Sequence, residues 1–324
     1  MSKIRVGVVG VGHLGSIHAR VYSQLAGYCD FVGVYDIDED NKNKVATLYN
    51  VRAFNTLDDI IANCDALSCA VPTSFHYEVG KKILESGKHL LIEKPITNDV
   101  NHAMELVQIA KDNGLKLMVG HTERFNPAME IVKHVDIKPK FIEIHRLAQF
   151  NPRGTDVSVI YDLMIHDVDI VLKLLQKEPD AIDAVGVPVI TNFIDIANVR
   201  LKFHNSCVVN ITTSRVSMKK MRKFRIFQPF SYISIDFLEK KSKLIELKNQ
   251  DLTTTEKKGL YVTDFSLSDF DYKIFTNENE PLKEEIKNFL LSINEDKEPE
   301  TTGFDGYRAL KLCNDIEKVI NIGK

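Results

Sequence analysis

Apolar and polar positions change rhythm once along the chain. Over roughly the first third, short unbroken apolar runs alternate with stretches of helical periodicity. Ile4–Val9, Phe31–Tyr35, Ala66–Val71, His89–Glu93 and Leu115–Gly120 are predicted strands, with Ala53–Phe54 a brief extended piece. Between them Ile17–Gln24, Asn41–Tyr49, Leu57–Ala62, Phe75–Ser86 and Val100–Asn113 are predicted helices. Gly87 and Gly114 stand just past two of them, where a left-handed residue closes a helix. Strands apolar on both faces and separated by helices predict a doubly wound parallel sheet, α/β in class.

After this the period falls to two. "KFIEIHRLA" (Lys140–Ala148) alternates, as do "NVRLKF", "CVVNITTS", "KFRIFQ", "YISIDF" and "KLIEL" between Asn198 and Leu247. Such alternation predicts antiparallel strands with one apolar and one polar face, hence an α+β region with a large open sheet. A helix over Val157–Leu175 interrupts them, Leu282–Ile293 and Gly306–Ile322 close the chain as helices, and Asn249–Gly259 is predicted to be an exposed loop. The change of rhythm places a domain boundary at residue 122, with the last helix packing back on the first domain.

Composition removes whole classes of function. With 324 residues, 44% hydrophobic and 27% charged, the chain has the make-up of a soluble protein of two ordinary domains. A net charge of −3 offers no basic excess to follow a phosphate backbone, so nucleic acid is not an expected partner. Cys29, Cys64, Cys69, Cys207 and Cys313 are scattered, with no C-x-x-C pair, which supports neither a disulfide framework nor a thiolate zinc site and fits a reducing cytoplasm. No apolar run of about 18 residues predicts a membrane span. Lys3 and Arg5 precede a valine-rich run as in a signal peptide, but glycines break that run, and a buried first strand is expected instead.

The turn after that strand carries the first chemistry. "VGVGHLG" sets Gly10, Gly12 and Gly15 between a strand and a helix. This is the arrangement that seats a dinucleotide: one glycine for the tight turn, one for backbone approach to phosphate, one for helix–strand packing. Asp36 ends the second strand 21 residues after Gly15, placed to accept hydrogen bonds from ribose hydroxyls. Its charge, with Asp38, Glu39 and Asp40 behind it, disfavours a 2′-phosphate, so NAD is expected over NADP. A mere turn-capping role for Asp36 is the alternative. Candidate cofactor contacts are Gly10, Gly12, His13, Leu14, Gly15 and Asp36. Val71, Pro72, Thr73 and His76 beyond the next strand, and Glu93 and Lys94 beyond the one after, complete the set. For Pro72, Thr73 and His76 the alternative is ordinary loop chemistry, with Thr73 capping the following helix.

"IEKPI" puts Lys94 at the carboxyl end of a buried strand, the edge of an open parallel sheet where ligands bind. An ammonium there can hold a substrate hydroxyl and stabilise the alkoxide as it forms; simple solvation is the plainer alternative. On the helix "DVSVIYDLMIHDVDIVLKLL", Asp162, His166 and Asp169 fall near one face. Three roles are open to them: hydrogen bonds to neighbouring backbone, metal ligation, or acid–base chemistry with His166 as the proton carrier and Asp162 orienting it or the substrate. Arg124, Asn126 and Arg153 are candidate substrate contacts beside Lys94, Asp162 and His166, two arginines suiting an anionic substrate such as a nucleotide diphosphate.

"GVGHLG", "IEKPI" and "DLMIHDVD", in that order, with "PLKEEIKNFLLSI…TTGFDGYRAL" near the end, resemble the glucose–fructose oxidoreductase / inositol dehydrogenase / MocA (Gfo/Idh/MocA) family over essentially the whole chain. The resemblance implies a Rossmann domain over residues 1–122 and an α+β domain over residues 123–324 built on a large open antiparallel sheet. It implies an NAD(P)-dependent oxidoreductase acting on CH–OH groups, with Lys94, Asp162 and His166 as catalytic trio and no metal. It also implies a homodimer or homotetramer formed through the open sheet face, a surface whose breadth independently asks for a covering partner. Within the family, "GHTERFNPA", "DVSVIYDLMIHDVDIVL" and "FQPFSYISIDF" are similar to a branch that includes UDP-N-acetylglucosamine 3-dehydrogenases. The implied reaction is oxidation of a secondary ring hydroxyl of a sugar or nucleotide sugar, by hydride transfer to nicotinamide. Inositol, a free sugar and a non-sugar substrate are alternatives. A non-catalytic dinucleotide sensor is the alternative of another class, though such a protein should have lost Lys94 or His166.

Overall fold

The computed structural model describes residues 3–151, 157–204, 207–248 and 270–322. They divide into two compact units, drawn from Met1–Phe125, Val168–Lys173 and Asn279–Asp315, and from Asn126–Asp167, Leu174–Glu278 and Ile316–Lys324.

The first unit alternates strand and helix: β1 (Ile4–Val9), α1 (His13–Gln24), β2 (Cys29–Tyr35), α2 (Glu39–Tyr49), β3 (Arg52–Ala53), α3 (Leu57–Asn63), β4 (Ala66–Cys69), α4 (His76–Glu85), β5 (His89–Glu93), α5 (Val100–Asp112) and β6 (Leu117–Gly120). The strands pair in parallel in the order β3-β2-β1-β4-β5-β6. The order reverses between β1 and β4, which opens a crevice at the carboxyl ends of those strands. Val6, Val8, Val34, Leu91 and Met118 are fully buried beneath α1.

Four turns of a late helix also belong to this core. Helix α6 (Ile165–Leu175) contributes Val168–Lys173 to the unit, and α7 (Pro281–Asn294) and most of α8 (Gly303–Ile322) join it. Ile286, Phe289 and Leu290 of α7 are buried in one cluster with Val6, Val8 and Tyr22, each side chain contributing about 1.5–3 kcal/mol by leaving water. Residues 1–122 therefore do not make up the whole unit. The observed unit adds α7 and part of α6 to residues 1–122, because these apolar α7 residues complete the core, and takes in most of α8, the last helix, expected to pack back on it.

The second unit holds an eight-stranded sheet: β7 (Phe141–Leu147), β8 (Ala181–Val187), β9 (Ile196–Phe203), β10 (Cys207–Ser214), β11 (Met221–Gln228), β12 (Ser231–Asp236), β13 (Lys241–Leu247) and β14 (Phe270–Thr276). Its order is β14-β13-β12-β11-β7-β10-β9-β8. All pairings are antiparallel except β7 with β10, which is parallel. The all-antiparallel expectation is corrected there, since alternation fixes the faces of a strand and not its direction. Strands β8 and β14 lack a sequence signal for the same kind of reason. Gly186 interrupts "AIDAVGV" where a Cβ would meet Ile194 and Ile320, and β14 is an edge strand exposed along most of its length.

The helix expected over Val157–Leu175 begins instead with a π turn at Ile160–Met164, where the N–H of Ile165 reaches back to the carbonyl of Ile160, and becomes α-helical only at Ile165. The loop expected at Asn249–Gly259 lies outside the described residues. No helix among the described residues is long and apolar enough to cross a membrane.

Candidate active site

In the first unit the candidate residues gather along one edge of the sheet, because parallel strands all release their carboxyl ends on the same side. Gly10 turns the chain with φ +81°, and a Cβ there would lie 2.8 Å from the backbone nitrogen of Val71. Gly15 is more constrained: a Cβ would stand 1.7 Å from the carbonyl oxygen of Gly10. Gly12 is the reverse case, with nothing within 4 Å of its Cβ position, and it caps α1 without any side-chain hydrogen bond. His13 and Leu14 are exposed in the first turn, which contains no acidic residue. The first N–H groups of a helix have no intrahelical partner, so this end offers donors and a positive dipole end to an anion.

Asp36 lies beside the turn. Its carboxylate accepts the N–H of Val11 at 2.6 Å and that of Asp38 at 2.9 Å, so it braces the glycine loop as well as its own turn. Each oxygen keeps a further lone pair. Asp38, Glu39 and Asp40 are exposed next to it, and Asp38 caps α2.

Val71 and Pro72 follow β4. Thr73 does not cap a helix: neither the 3-10 turn at Thr73–Phe75 nor α4 begins with a side-chain cap. His76 is buried, and its two ring nitrogens face the carbonyls of Pro95 (2.8 Å) and Val71 (3.0 Å). Burial pushes its pKa down, so the neutral ring donates to one carbonyl at a time. This imidazole tethers two loops to each other. The carboxylate of Glu93 is buried against His18 (2.9 Å) and the N–H of Lys94 (3.2 Å). Lys94 itself is half-buried at the end of β5, and the Lys94–Pro95 bond is cis.

The acidic residues of the His166 helix divide by partner. Asp169 takes two bonds from Arg124, 2.7 Å and 2.5 Å, with both side chains almost wholly buried. Arg124 also donates to the carbonyl of Glu300 and lies 3.4 Å from Asp305. Burial opposes the charge on Arg124, but these carboxylates outweigh it and raise its pKa. Arg124 is therefore an internal cross-brace, its guanidinium engaged by Asp169, Asp305 and the carbonyl of Glu300. The carboxylate of Asp169 is engaged by the same brace; among the described residues no three His, Cys, Asp or Glu are placed to hold a metal ion.

In the second unit Arg146 of β7 makes a two-pronged pair with Asp167, at 2.8 Å and 2.9 Å. Asp162, in the π turn, and His166 are half-buried. Asn126 is buried, caps the 3-10 turn at Pro127–Lys133 by accepting from Ala128, and donates to the carbonyl of Phe237. Arg153 lies outside the described residues.

Residues 4–121 match the Gfo/Idh/MocA oxidoreductase family, NAD-binding Rossmann fold, and residues 142–228 match the Gfo/Idh/MocA C-terminal domain. A UDP-N-acetylglucosamine 3-dehydrogenase of Acidithiobacillus ferrooxidans is 39% identical over 239 residues, 74% of this chain and 75% of that one. The chain belongs to the Gfo/Idh/MocA family. The solved structure of the Acidithiobacillus enzyme covers 99% of both chains with a TM-score of 0.88 at 32% identity. A levoglucosan dehydrogenase, solved in complex with NADH and levoglucosan, shares the fold at TM-score 0.85 and 15% identity.

This Gfo/Idh/MocA oxidoreductase also buries polar groups that the sequence reading missed. His18, on α1, is 1% exposed. His121, after β6, is equally buried; among the described residues neither ring nitrogen has a hydrogen-bond partner, and burial lowers its pKa. Glu285 of α7 is fully buried, accepts a bond from Thr122 at 2.9 Å, and is pushed well above the usual carboxylate range by burial and then by Glu93. Only "GSIHA" held a signal: a histidine one turn past Gly15, on the face that packs against the sheet.

Proposed function

We propose that this oxidoreductase is an NAD-dependent dehydrogenase that oxidises a secondary ring hydroxyl of a nucleotide sugar, UDP-N-acetylglucosamine at C3 being the specific candidate. The observation that carries the substrate is the likeness, over 99% of both chains, to a named UDP-N-acetylglucosamine 3-dehydrogenase. Its Rossmann unit suits the cofactor. Gly12 leaves open space beside uncapped helix donors, and the carboxylate of Asp36 beside the glycine turn supports a ribose contact. The acidic run Asp36, Asp38, Glu39 and Asp40 favours NAD over NADP by repelling a 2′-phosphate.

The chemistry assigned to this chain's own residues is limited and specific. Bound nicotinamide supplies the acceptor for the hydride that leaves the substrate carbon. His166 takes the hydroxyl proton on its ring, whose ordinary pKa lies near neutrality, and general base catalysis of this kind is worth about 10²–10⁴-fold. Lys94 Nζ donates a hydrogen bond to the same oxygen and stabilises its growing negative charge. Asp162 orients His166 or a neighbouring substrate hydroxyl. Val71, Pro72, Thr73, His13 and Leu14 border the cofactor.

A homodimer or homotetramer through the open sheet face accompanies this reading. On that face register pairs Val208, Phe141, Phe227, Tyr232, Ile245 and Tyr272 in one cross-strand row over six strands. Phe227 and Tyr272 remain 37% and 54% exposed in the single chain. Such an apolar stripe calls for a covering surface. A cytoplasmic site of action is part of the same proposal.

Incubating the purified chain with NAD and a panel of UDP-sugars, free sugars and inositols, and following the NADH absorbance band, tests the substrate. NADH should form with UDP-N-acetylglucosamine. Turnover only with inositol, the substrate named for a Rhizobium meliloti relative 26% identical over 323 residues, would replace the reading; no turnover with any of them would reject it.

A further inference from the structure

We infer that His18 and Glu93 form a buried positioning pair that ties the main chain at Lys94 to the helix receiving the cofactor phosphates. The inference deepens the proposed function and rests on its assignment of Lys94 to the reacting hydroxyl.

Three contacts build the pair, all inside the first unit. His18 stands three residues after Gly15, one turn into α1, with Nε2 2.9 Å from Glu93 Oε1. The other oxygen of Glu93 accepts the N–H of Lys94 at 3.2 Å. Gly120 of β6 makes the room, since a Cβ there would lie 2.9 Å from that same oxygen. The carboxylate thus spans from α1 to the first residue beyond β5, and a substitution at any of the three positions disturbs it.

The environment argues for geometry over stability. The two side chains are 1% and 10% exposed, so the pair has lost most of its hydration. A well-packed apolar contact at such a junction is usually as stable as a buried ion pair or more so. Burial works against the ionised form of Glu93, yet the bonds from His18 and the charge of Lys94 hold its pKa below the ordinary value. Nearby Glu285 is pushed the other way, above the usual carboxylate range, by burial and then by Glu93 itself. What the pair supplies is direction. β1, which leads into α1, and β5 are separated in the sheet by β4, so backbone pairing alone sets the reach of Lys94 through an intervening strand. A displacement of about 1 Å at a reacting group can cost about 10²-fold in rate.

The test uses the full chain with NAD and UDP-N-acetylglucosamine, NADH titration followed by its fluorescence, and hydrogen exchange across Ile92–Ile96. His18→Leu should lower kcat by about 10–10²-fold while KM for NAD and the NADH Kd move by less than about threefold. Exchange at the Lys94 amide should quicken. His18→Gln, which returns an N–H donor at the reach of Nε2, should restore both. Wild-type kcat and exchange in His18→Leu overturn the inference, as do a parallel collapse of kcat and NADH binding or a failure of glutamine to rescue. If His18→Leu does not fold, Glu93→Gln, which keeps shape but removes the charge facing His18, is judged on the same readouts, with slower turnover and quicker Lys94 exchange expected. Lys94→Ala separates the two claims. Full turnover in Lys94→Ala sinks the role given to Lys94 in the proposed function and the positioning role with it. An inactive Lys94→Ala beside a wild-type His18→Leu sinks the positioning role alone. Exchange needs no substrate, so it decides the contact even if UDP-N-acetylglucosamine is not turned over.

Discussion

Replacing Arg146 by Met should destabilise the second unit more than any single loss of surface charge. Arg146 and Asp167 are each 2% exposed and joined by bonds of 2.8 Å and 2.9 Å. Methionine keeps much of the aliphatic packing beside Phe237, whose ring lies 5.9 Å from the guanidinium, but takes both guanidinium bonds from the buried Asp167 carboxylate. Stranding one member of a buried pair costs about 3–5 kcal/mol. In a unit of this size each kcal/mol moves Tm by about 2–4 °C, so a fall of about 6–20 °C is expected. The chain has no tryptophan, so far-UV circular dichroism is the natural probe. Arg146→Met/Asp167→Leu removes both charges and should recover most of the loss, giving a favourable coupling in the double-mutant cycle. A Tm within about 2 °C of wild type for Arg146→Met would refute the reasoning, because the desolvated charge would then have found another partner.

Gly15→Ala should abolish NADH binding in a fluorescence titration, since its Cβ would stand 1.7 Å from the Gly10 carbonyl; a wild-type Kd contradicts this. Asp36→Asn keeps an acceptor for Val11 but removes the charge, and the NAD-over-NADP ratio of kcat/KM should fall by about tenfold or more; an unchanged ratio places the selectivity elsewhere. Glu285 has a raised folded pKa, so its contribution to stability is full below the unfolded value of about 4.3 and is lost as pH rises toward and through the folded value. Urea midpoints between about pH 5 and pH 8 should therefore decline less steeply in Glu285→Gln than in wild type; equal slopes would show Glu285 ionised in the folded chain.

The Rossmann half was legible because each of its signals is local. Burial on both faces leaves unbroken apolar runs such as Ile4–Val9, and Gly10, Gly12, Gly15 and Asp36 keep fixed offsets from a strand end. Strand direction in the second sheet was not legible, because the β7–β10 pairing joins segments far apart in sequence. The charged residues divide in the same way. Asp162, Asp167 and Asp169 look alike along the helix, and only their partners Arg146 and Arg124, distant in sequence, show which are spent on structure. Arg124 and Asn126 have such partners, Asp169 and the carbonyl of Phe237. A polar residue just past a strand end looks available until the group it binds is known. The π turn before His166 left no mark either, since its residues suit an ordinary helix equally well.

The most direct test compares initial rates of NADH formation from NAD and UDP-N-acetylglucosamine in wild type and Lys94→Ala, with the NADH Kd measured alongside. The account expects steady turnover in the wild type and a loss of about 10²–10³-fold in the variant at nearly constant Kd. Equal rates in the two proteins would contradict it.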